Sequence, residues 1–412
     1  MASEVRGMRR GPDEFRSRWR LRVPSLVAVT TAVGSLGLAA GGTAGPLLAV
    51  SMVGSSGVAG VPVALNLAGS AVGALLVSHQ AARGRRGQGL ALGFAIGAVG
   101  AVVVVAAAAA DSLVLVLAGS ALLGTANSAL FLSRYAAAAV VSEDRRGRAL
   151  GQVLFATTVG AVLSPVLLGP SGEVADRIGL VRPSGAYLVA VLAFGGAALS
   201  FRLMAGRFSP GGGEPAAAHG LARAVRNPRT LPAVLTLAVT NFAMVAVMTV
   251  APVRLDMHGN GLDVVGAVVA LHVVCMFGPS LVTGYLADRH HPAALVAAGA
   301  VLLLGGGVVG AVGSDHHVPL MAVHLSLIGL GWNCGVVGGS ALLGATAPGH
   351  LRTHLEGIGE AAMGVAAIAA APLAGLASVL TGYAGLSIWF SICAAAGLVY
   401  CCWRVRVGSH RT

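Results

Sequence analysis

The chain has 412 residues, of which 56% are hydrophobic and only 10% are charged, and its mean hydropathy is +0.83. So few charged side chains cannot cover the surface of a soluble 40.7 kDa globule, whereas a bilayer requires apolar exteriors and helices of about 20 apolar residues. These values exclude a soluble fold and predict an integral protein of the lipid bilayer.

The positive charge predicts an orientation in the membrane rather than a nucleic-acid partner. The formal net charge is +12, and all 27 basic residues are Arg. Seven of them precede Val23, and most others lie in short segments between apolar runs, which is typical of cytoplasmic loops. The absence of Lys excludes a Walker A phosphate loop and a pyridoxal Schiff base.

Apolar windows predict an all-α membrane protein with 12 transmembrane helices in two pseudo-symmetric six-helix bundles. An Arg-rich segment, 1–25, precedes the first bundle at 26–204. A Gly/Pro/Arg-rich linker at 205–230 leads to the second bundle at 231–403, and a tail follows it. The predicted spans are Leu26–Val50, Val58–Ser78, Leu90–Ala110, Leu113–Val141, Ala149–Leu168, Gly185–Met204, Leu231–Val250, Val264–Leu286, Ala293–Val312, Pro319–Ala345, Ile358–Leu380 and Leu386–Trp403, with the tail at 404–412.

The distribution of Arg predicts that both termini and the linker are cytoplasmic. With that orientation the cytoplasmic segments hold 23 Arg, and the outer loops hold only Arg177, Arg182 and Arg254. Arg134 remains within a span. We therefore expect a multi-pass protein of the cytoplasmic (inner) membrane.

A displacement of 206 residues, half of the chain, superimposes the two sets of spans and several individual residues. Matches of rare residue types at one displacement indicate duplicated halves, as in many transporters. The superimposed pairs are Asn66 with His272, Asn127 with Asn333, Arg83 with Arg289, Ser120 with Ser326, Arg146 with Arg352, and Gly151 with Gly357.

Polar side chains within the spans indicate a wet cavity between helices, because a central charge costs about 2.5–3.5 kcal/mol in lipid. The alternative is an amide that only bonds a neighbouring helix, for about 0.6 kcal/mol. The equivalent positions of Asn127 and Asn333 favour the cavity. The predicted cavity residues are Asn66, Asn127, Asn241, Met244, His272, His324, Trp332 and Asn333.

Three ionisable residues are candidates for proton coupling: Glu360, His272 and His324. A desolvated acid or His changes protonation near neutral pH when its access to water alternates. The alternatives are a first-turn acid at a helix N-terminus for Glu360 and neutral, singly bonded rings for the histidines. Arg134, near the cytoplasmic end of its span, is expected to snorkel or to pair with Glu143 or Asp144.

Nothing in the sequence indicates an enzyme, a cofactor, a metal site or a disulfide. The five Cys lie within or at the ends of apolar runs without CxxC spacing. No nucleophile elbow, HExxH or dinucleotide fingerprint is present.

The segment Gly284-Tyr-Leu-Ala-Asp288-Arg289 resembles the signature of the major facilitator superfamily in its loops after the second and eighth spans. Arg145-Arg-Gly-Arg148 is similar to that family's loop between spans four and five. Gly160-Ala-Val-Leu-Ser164-Pro165 resembles the motif of its proton-coupled antiporters, with Ser164 where Gly is expected. The first-half loop, His79–Arg86, lacks the signature Asp.

The resemblance implies a rocker-switch transporter with its substrate site near the midplane between the halves. We expect a secondary transporter, active as a monomer, that exports small amphipathic compounds in exchange for protons. The alternatives are an importer or facilitator of a polar metabolite and a non-transporting membrane sensor.

The missing loop Asp predicts a rearranged conformational latch. In the second half, Asp288 is expected at the start of span five, with Arg289 near Glu143 or Asp144. The first-half loop has no such Asp. We expect two acids of span eleven in the second half, Glu356 and Glu360, to take over its role. Their expected partners are Arg83, Arg85 and Arg86, and the predicted latch also includes Arg134.

Overall fold

The computed structural model describes residues 12–38, 40–53, 60–208, 227–228, 230–257, 262–313 and 317–409. These residues form fourteen α-helices, because in lipid only an internally hydrogen-bonded backbone is tolerated. The helices are α1 (Pro12–Ser35), α2 (Gly45–Val53), α3 (Gly60–Ala82), α4 (Arg86–Ala109), α5 (Leu113–Ala138), α6 (Arg146–Val166), α7 (Leu168–Arg177), α8 (Gly185–Met204), α9 (Leu231–Met257), α10 (Leu262–Phe277), α11 (Ser280–Arg289), α12 (Pro292–Ala311), α13 (Val318–Thr346) and α14 (Arg352–Ser409).

The described helices agree with twelve spans once their breaks are taken into account. Ten helices are long and apolar enough to cross a membrane, or eleven when α6 and α7, bent by 52°, are one span. The candidate span in α14 has 53 residues, roughly 80 Å of helix, which exceeds twice the hydrocarbon thickness of about 30 Å. Gly382, at φ 70°, breaks that helix and separates the last two predicted spans.

Several element boundaries differ from the sequence prediction. Helix α1 begins at Pro12, inside the predicted N-terminal segment, and α14 continues to Ser409 in the predicted tail. Arg is a good helix former, so a helix continues where hydropathy falls. Of the predicted linker, Ala205–Arg207 form a short 3₁₀ turn, and 209–226 lie outside the described residues.

Breaks within spans one, five and eight were not predicted. A short π-helical turn at Ala40–Ala44 separates α1 from α2. Helices α10 and α11 are separated at Gly278 and Pro279, where proline supplies no N–H to the helix ladder. The predicted spans were continuous because the apolar pattern passes through such breaks unchanged.

The two halves each enclose their own apolar core. Phe94 stacks on Phe201 in the first, and Trp332 and Tyr383 are fully buried in the second. The halves contact each other closely at the arginine-rich end, which we define by the segments 83–86, 143–148, 289–291 and 347–351.

Small residues make this approach possible at two equivalent places. A Cβ on Gly151 of α6 would overlap the carbonyl oxygen of Ser280 on α11, and one on Gly357 of α14 would overlap the hydroxyl of Ser78 on α3. The displacement that superimposes the halves also superimposes Gly151 on Gly357. The arginine-rich end is therefore closed by two copies of one helix packing.

Candidate functional site

A buried ion pair joins the two halves. Arg134 of α5 donates from Nη2 to Oε1 of Glu360 on α14. Arg134 is 0% exposed and Glu360 7%. Because a charge inside a membrane span is costly, a pair of this kind identifies a candidate functional site.

Ser340, Tyr135 and the Phe131 carbonyl, which accepts from Nη1 at 2.9 Å, complete the hydrogen bonding of Arg134. Its Nε donates to Ser340 Oγ at 3.2 Å, and its Nη2 also donates to the Tyr135 hydroxyl at 3.2 Å. That hydroxyl in turn donates to Ser340 Oγ at 3.1 Å. Arg134 and Ser340 are 206 residues apart and therefore occupy equivalent positions in the two halves. Since equivalent positions meet only near the axis that relates the halves, Arg134 and Ser340 lie at the pseudo-two-fold axis.

This geometry corrects the expectation for Arg134. It neither snorkels nor meets Glu143 or Asp144, which instead pair with Arg146 and Arg145. The sequence placed Glu360 in a first helical turn, but α14 begins at Arg352, so Glu360 lies two turns inside the helix and faces the opposite half.

A second ion pair between the halves lies one helical turn closer to the arginine-rich end. Arg86 donates from Nη1 to Glu356 Oε2 at 2.9 Å and from Nη2 to Thr353 Oγ1 at 2.9 Å. Arg83 and Arg85, the other expected partners, are exposed, and within the described ranges neither forms an ion pair. Of these three arginines, only Arg86 forms an ion pair that joins the two halves.

We predict that Glu356→Gln opens the arginine-rich end without removing substrate binding. Loss of this partly buried charge pair is expected to destabilise the closed state by about 1–2 kcal/mol. A change of that size alters the equilibrium between the closed and open states roughly 5- to 30-fold. Labelling of a cysteine placed at Ala341 measures this opening, and Arg177→Gln, far from the pair, serves as the charge control. Unchanged labelling in both Glu356→Gln and Arg86→Gln would refute the latch.

Asp288 joins the halves a third time. Its carboxylate accepts from the N–H of Gly147 at 2.5 Å and of Arg148 at 2.9 Å, at the start of α6. Such an acid also interacts favourably with the positive end of a helix. Arg289 does not reach Glu143 or Asp144 as expected. Arg289 instead donates to the Tyr285 hydroxyl at 2.7 Å. Adjacent residues of a helix point in directions about 100° apart, so Arg289 does not face the contact that Asp288 makes.

Three aromatic rings pack together where the halves meet. Phe131 stacks on Phe277 across the halves, with ring centres 6.4 Å apart, and Phe277 meets Trp332 edge to face at 5.3 Å. Phe131 and Phe277 were not predicted as site residues. The signal available in the sequence was that Phe131 precedes Arg134 by one helical turn.

The amides are mostly committed to bonds inside each half. Asn66 and Asn127 bond each other at 2.7 Å, between α3 and α5. Asn241 donates to the Met363 carbonyl at 2.9 Å and accepts from Trp332 Nε1 at 3.0 Å. Of the predicted cavity residues, only Asn127 and Met244 are partly exposed.

Asn333 does not line a cavity, contrary to the prediction. It is fully buried, and its Nδ2 donates to the Met276 carbonyl and to Ser280 Oγ, both at 2.6 Å. Its Oδ1 accepts from Thr283 at 2.7 Å. The amide thus satisfies the carbonyl freed by the break between α10 and α11, a break that the sequence did not reveal.

His272 and His324 are also buried within the second half rather than on a cavity wall. The Nδ1 of His272 lies 2.7 Å from the Leu325 carbonyl, and that of His324 lies 2.7 Å from the Gly306 carbonyl. Both rings are at most 1% exposed. A ring nitrogen bonded in this way to a carbonyl carries a proton.

A cavity of about 690 Å³ opens at the arginine-rich end, between the loops and the buried ion pair. Tyr135 and Ser340 lie at its inner boundary, and Arg86, Asp288 and Glu356 on its sides. No group of three potential metal-ligating side chains occurs among the described residues.

Comparison with known proteins identifies the family. A profile of the Major Facilitator Superfamily matches residues 26–332. The chain belongs to the major facilitator superfamily. It is 32% identical over 368 residues to the uncharacterized MFS-type transporter YddS of Bacillus subtilis, covering 86% of this chain and 84% of the relative. It is 29% identical over 231 residues to the riboflavin transporter RfnT of Brucella anthropi, covering 54% and 56%.

Solved structures of the same fold include the human organic anion transporter MFSD10, with a TM-score of 0.70, 15% identity and coverage of 94% of this chain and 99% of that one. A bacterial homologue of the iron transporter ferroportin, in an outward-facing state, gives a TM-score of 0.71, 14% identity and coverage of 94% and 100%. These findings confirm the predicted all-α membrane fold and family. The chain is a multi-pass secondary transporter and not an enzyme.

Proposed function

We propose that this transporter exports amphipathic aromatic compounds in exchange for protons. The observation that carries the proposal is the buried Arg134–Glu360 pair, which joins the two halves beside their pseudo-two-fold axis. An acid in this position can link its own protonation to the separation of the halves.

Glu360 is the coupling site in this mechanism. While the arginine-rich end is closed, a proton from the outer side neutralises Glu360 and removes the charge that holds Arg134. The halves then separate at the cytoplasmic end, and water that enters the opened path takes the proton to the cytoplasm. The ionised Glu360 pairs again with Arg134, and this pairing closes the end behind a bound substrate.

The two histidines have no place in this cycle. Each ring bonds a carbonyl of its own half, so a change in its charge would not act directly on the contact between the halves. Glu360 contacts the opposite half directly. We therefore rank it above His272 and His324 as the coupling residue.

The inner helices offer mainly aromatic and thioether surfaces to a substrate. Phe131 and Phe277 stack on each other between the halves, and Met244 of α9 is partly exposed. The amides that would recognise a polar metabolite are largely bonded within the protein. A relative that transports riboflavin, a flat aromatic compound, supports this substrate class.

We also propose a cytoplasmic membrane location, cytoplasmic termini and a monomeric state. The asymmetry of Arg supports the orientation, since 23 of the 27 Arg fall in segments assigned to the cytoplasm. Both ion pairs that join the halves, Arg86–Glu356 and Arg134–Glu360, are formed within the chain. This orientation makes the arginine-rich end the cytoplasmic end.

Flux in proteoliposomes tests the function. We expect riboflavin or an amphipathic fluorescent dye to move against its gradient when a pH gradient is imposed, and this movement to stop with a protonophore. Glu360→Gln liposomes are the matched control. Flux that only equilibrates the compound and does not depend on the pH gradient would indicate a facilitator, and absence of flux for every compound that stabilises the protein would indicate a sensor.

A further inference from the structure

The cavity at the arginine-rich end is bordered by two equivalent helix starts. Helix α6 begins at Arg146 and α14 begins at Arg352, 206 positions later. In the first copy two carboxylates are present. Arg146 donates to Glu143 at 2.7 Å, and Asp288 accepts from the N–H groups of Gly147 and Arg148.

The second copy lacks both carboxylates. The same displacement places Gly349 at the position of Glu143 and Ala82 at the position of Asp288. Arg352 is half-buried, its Nε is buried without a hydrogen-bond partner, and no ion pair of the described residues includes it. Glu356, one turn further on, is already held by Arg86.

The places of the missing carboxylates border open space. Ala82, Gly349 and Arg352 all line the cavity of about 690 Å³, and a Cβ on Gly349 would meet nothing within 4 Å. Arg146 lines the same cavity, and its Nε is also buried without a partner. This volume lies within the range of about 300–1,000 Å³ that is typical of small-molecule sites.

The charges at the cavity leave one cation without a partner. Glu143 is paired with Arg146, Glu356 with Arg86, and Asp288 with the start of α6. Arg352 remains. A guanidinium removed from water without an acid is unfavourable, and its rigid fork of N–H donors matches a carboxylate or a phosphate.

We propose that this cavity is a binding site for a small oxyanion, of the phosphate or carboxylate class, held by Arg352 and the Nε of Arg146. The anion takes the place of the carboxylates that the second copy lacks. Because Arg146 belongs to the first half and Arg352 to the second, the bound anion stabilises the closed state of the arginine-rich end. The site is separate from the coupling pair and does not depend on the direction of transport.

Inorganic phosphate and acetate are the probes. We expect each to raise the Tm of the full-length protein in phosphatidylcholine nanodiscs above that in sodium chloride of equal ionic strength. Arg352→Gln should weaken phosphate binding at least about tenfold, through loss of a charge-assisted hydrogen bond. Gly349→Glu, which restores the acid found before Arg146, should raise the Tm without phosphate and remove the phosphate effect. Arg177→Gln controls for the loss of one positive charge.

A second arm replaces soluble phosphate by phosphatidylglycerol in the nanodiscs. Stabilisation that depends on Arg352 supports the site in either arm, and the arm in which it occurs identifies the source as a solute or a lipid headgroup. The proposal is overturned if neither arm stabilises the protein, or if Arg352→Gln and Gly349→Glu respond as the unmodified chain does. Glu360→Gln should keep the phosphate response, which separates this test from that of proton coupling.

Discussion

Glu360→Gln is expected to abolish gradient-driven accumulation of substrate while leaving exchange of substrate across the membrane. The amide cannot lose or gain a proton, so the cycle can no longer use the gradient. It also leaves Arg134 fully buried without a negative partner, which costs about 3–5 kcal/mol. We therefore expect a lower Tm together with the loss of accumulation, measured by calorimetry and by proteoliposome flux.

The double variant Arg134→Gln with Glu360→Gln separates coupling from stability. Removing both charges eliminates the unpaired cation, so the Tm should recover while accumulation stays absent. Recovery of accumulation in the double variant would show that the pair has only a structural role. Retention of full proton-driven transport in Glu360→Gln would place the coupling site elsewhere.

Gly151→Ala should prevent closure of the arginine-rich end and reduce transport at least about tenfold, since a single misplaced contact in a packed interface costs roughly 1–3 kcal/mol. The new Cβ overlaps a backbone oxygen, that of Ser280, which cannot rotate away. Alanine favours helix over glycine by about 1 kcal/mol, so a loss of function cannot come from a weakened helix.

Gly357→Ala provides a test at the equivalent position, where the new Cβ would overlap both the Oγ and the Cβ of Ser78. We expect a comparable loss, which Ser78→Gly should reverse because it removes both atoms. Gly195→Ala, with open space around the new Cβ, is the matched control and should be neutral. Cysteine labelling at Ala341 reports whether the end stays open. Equal activity of Gly151→Ala and Gly195→Ala would contradict the packing argument.

Much of the fold could be predicted because lipid imposes simple rules on the sequence. Spans follow from apolar length, and the duplication follows from residues that match at one displacement, such as Asn127 and Asn333. The contact of Asp288 with the start of α6 followed from helix electrostatics and the family resemblance.

The site was harder to predict because a linear pattern does not show where a side chain points. Glu360 and Arg134 stand out in the sequence as polar groups within spans, but their pairing depends on the crossing of α5 and α14. Asn333 was wrongly assigned to a cavity because the break at Pro279, which its amide repairs, leaves no trace in hydropathy. Phe131 and Phe277 resemble any other apolar residue until the halves are placed together.

The meeting of Arg134 with its own counterpart, Ser340, bears on the history of the chain. When a gene for six helices is duplicated and the copies face each other, every residue at the axis confronts an identical residue. Two guanidinium groups at that point would repel in a medium of low dielectric constant. One copy must therefore change first at this position, and the molecule can then place a single acid to one side of the axis. In this chain, the ancestral symmetry had to be lost at its centre before a titratable lock could arise there.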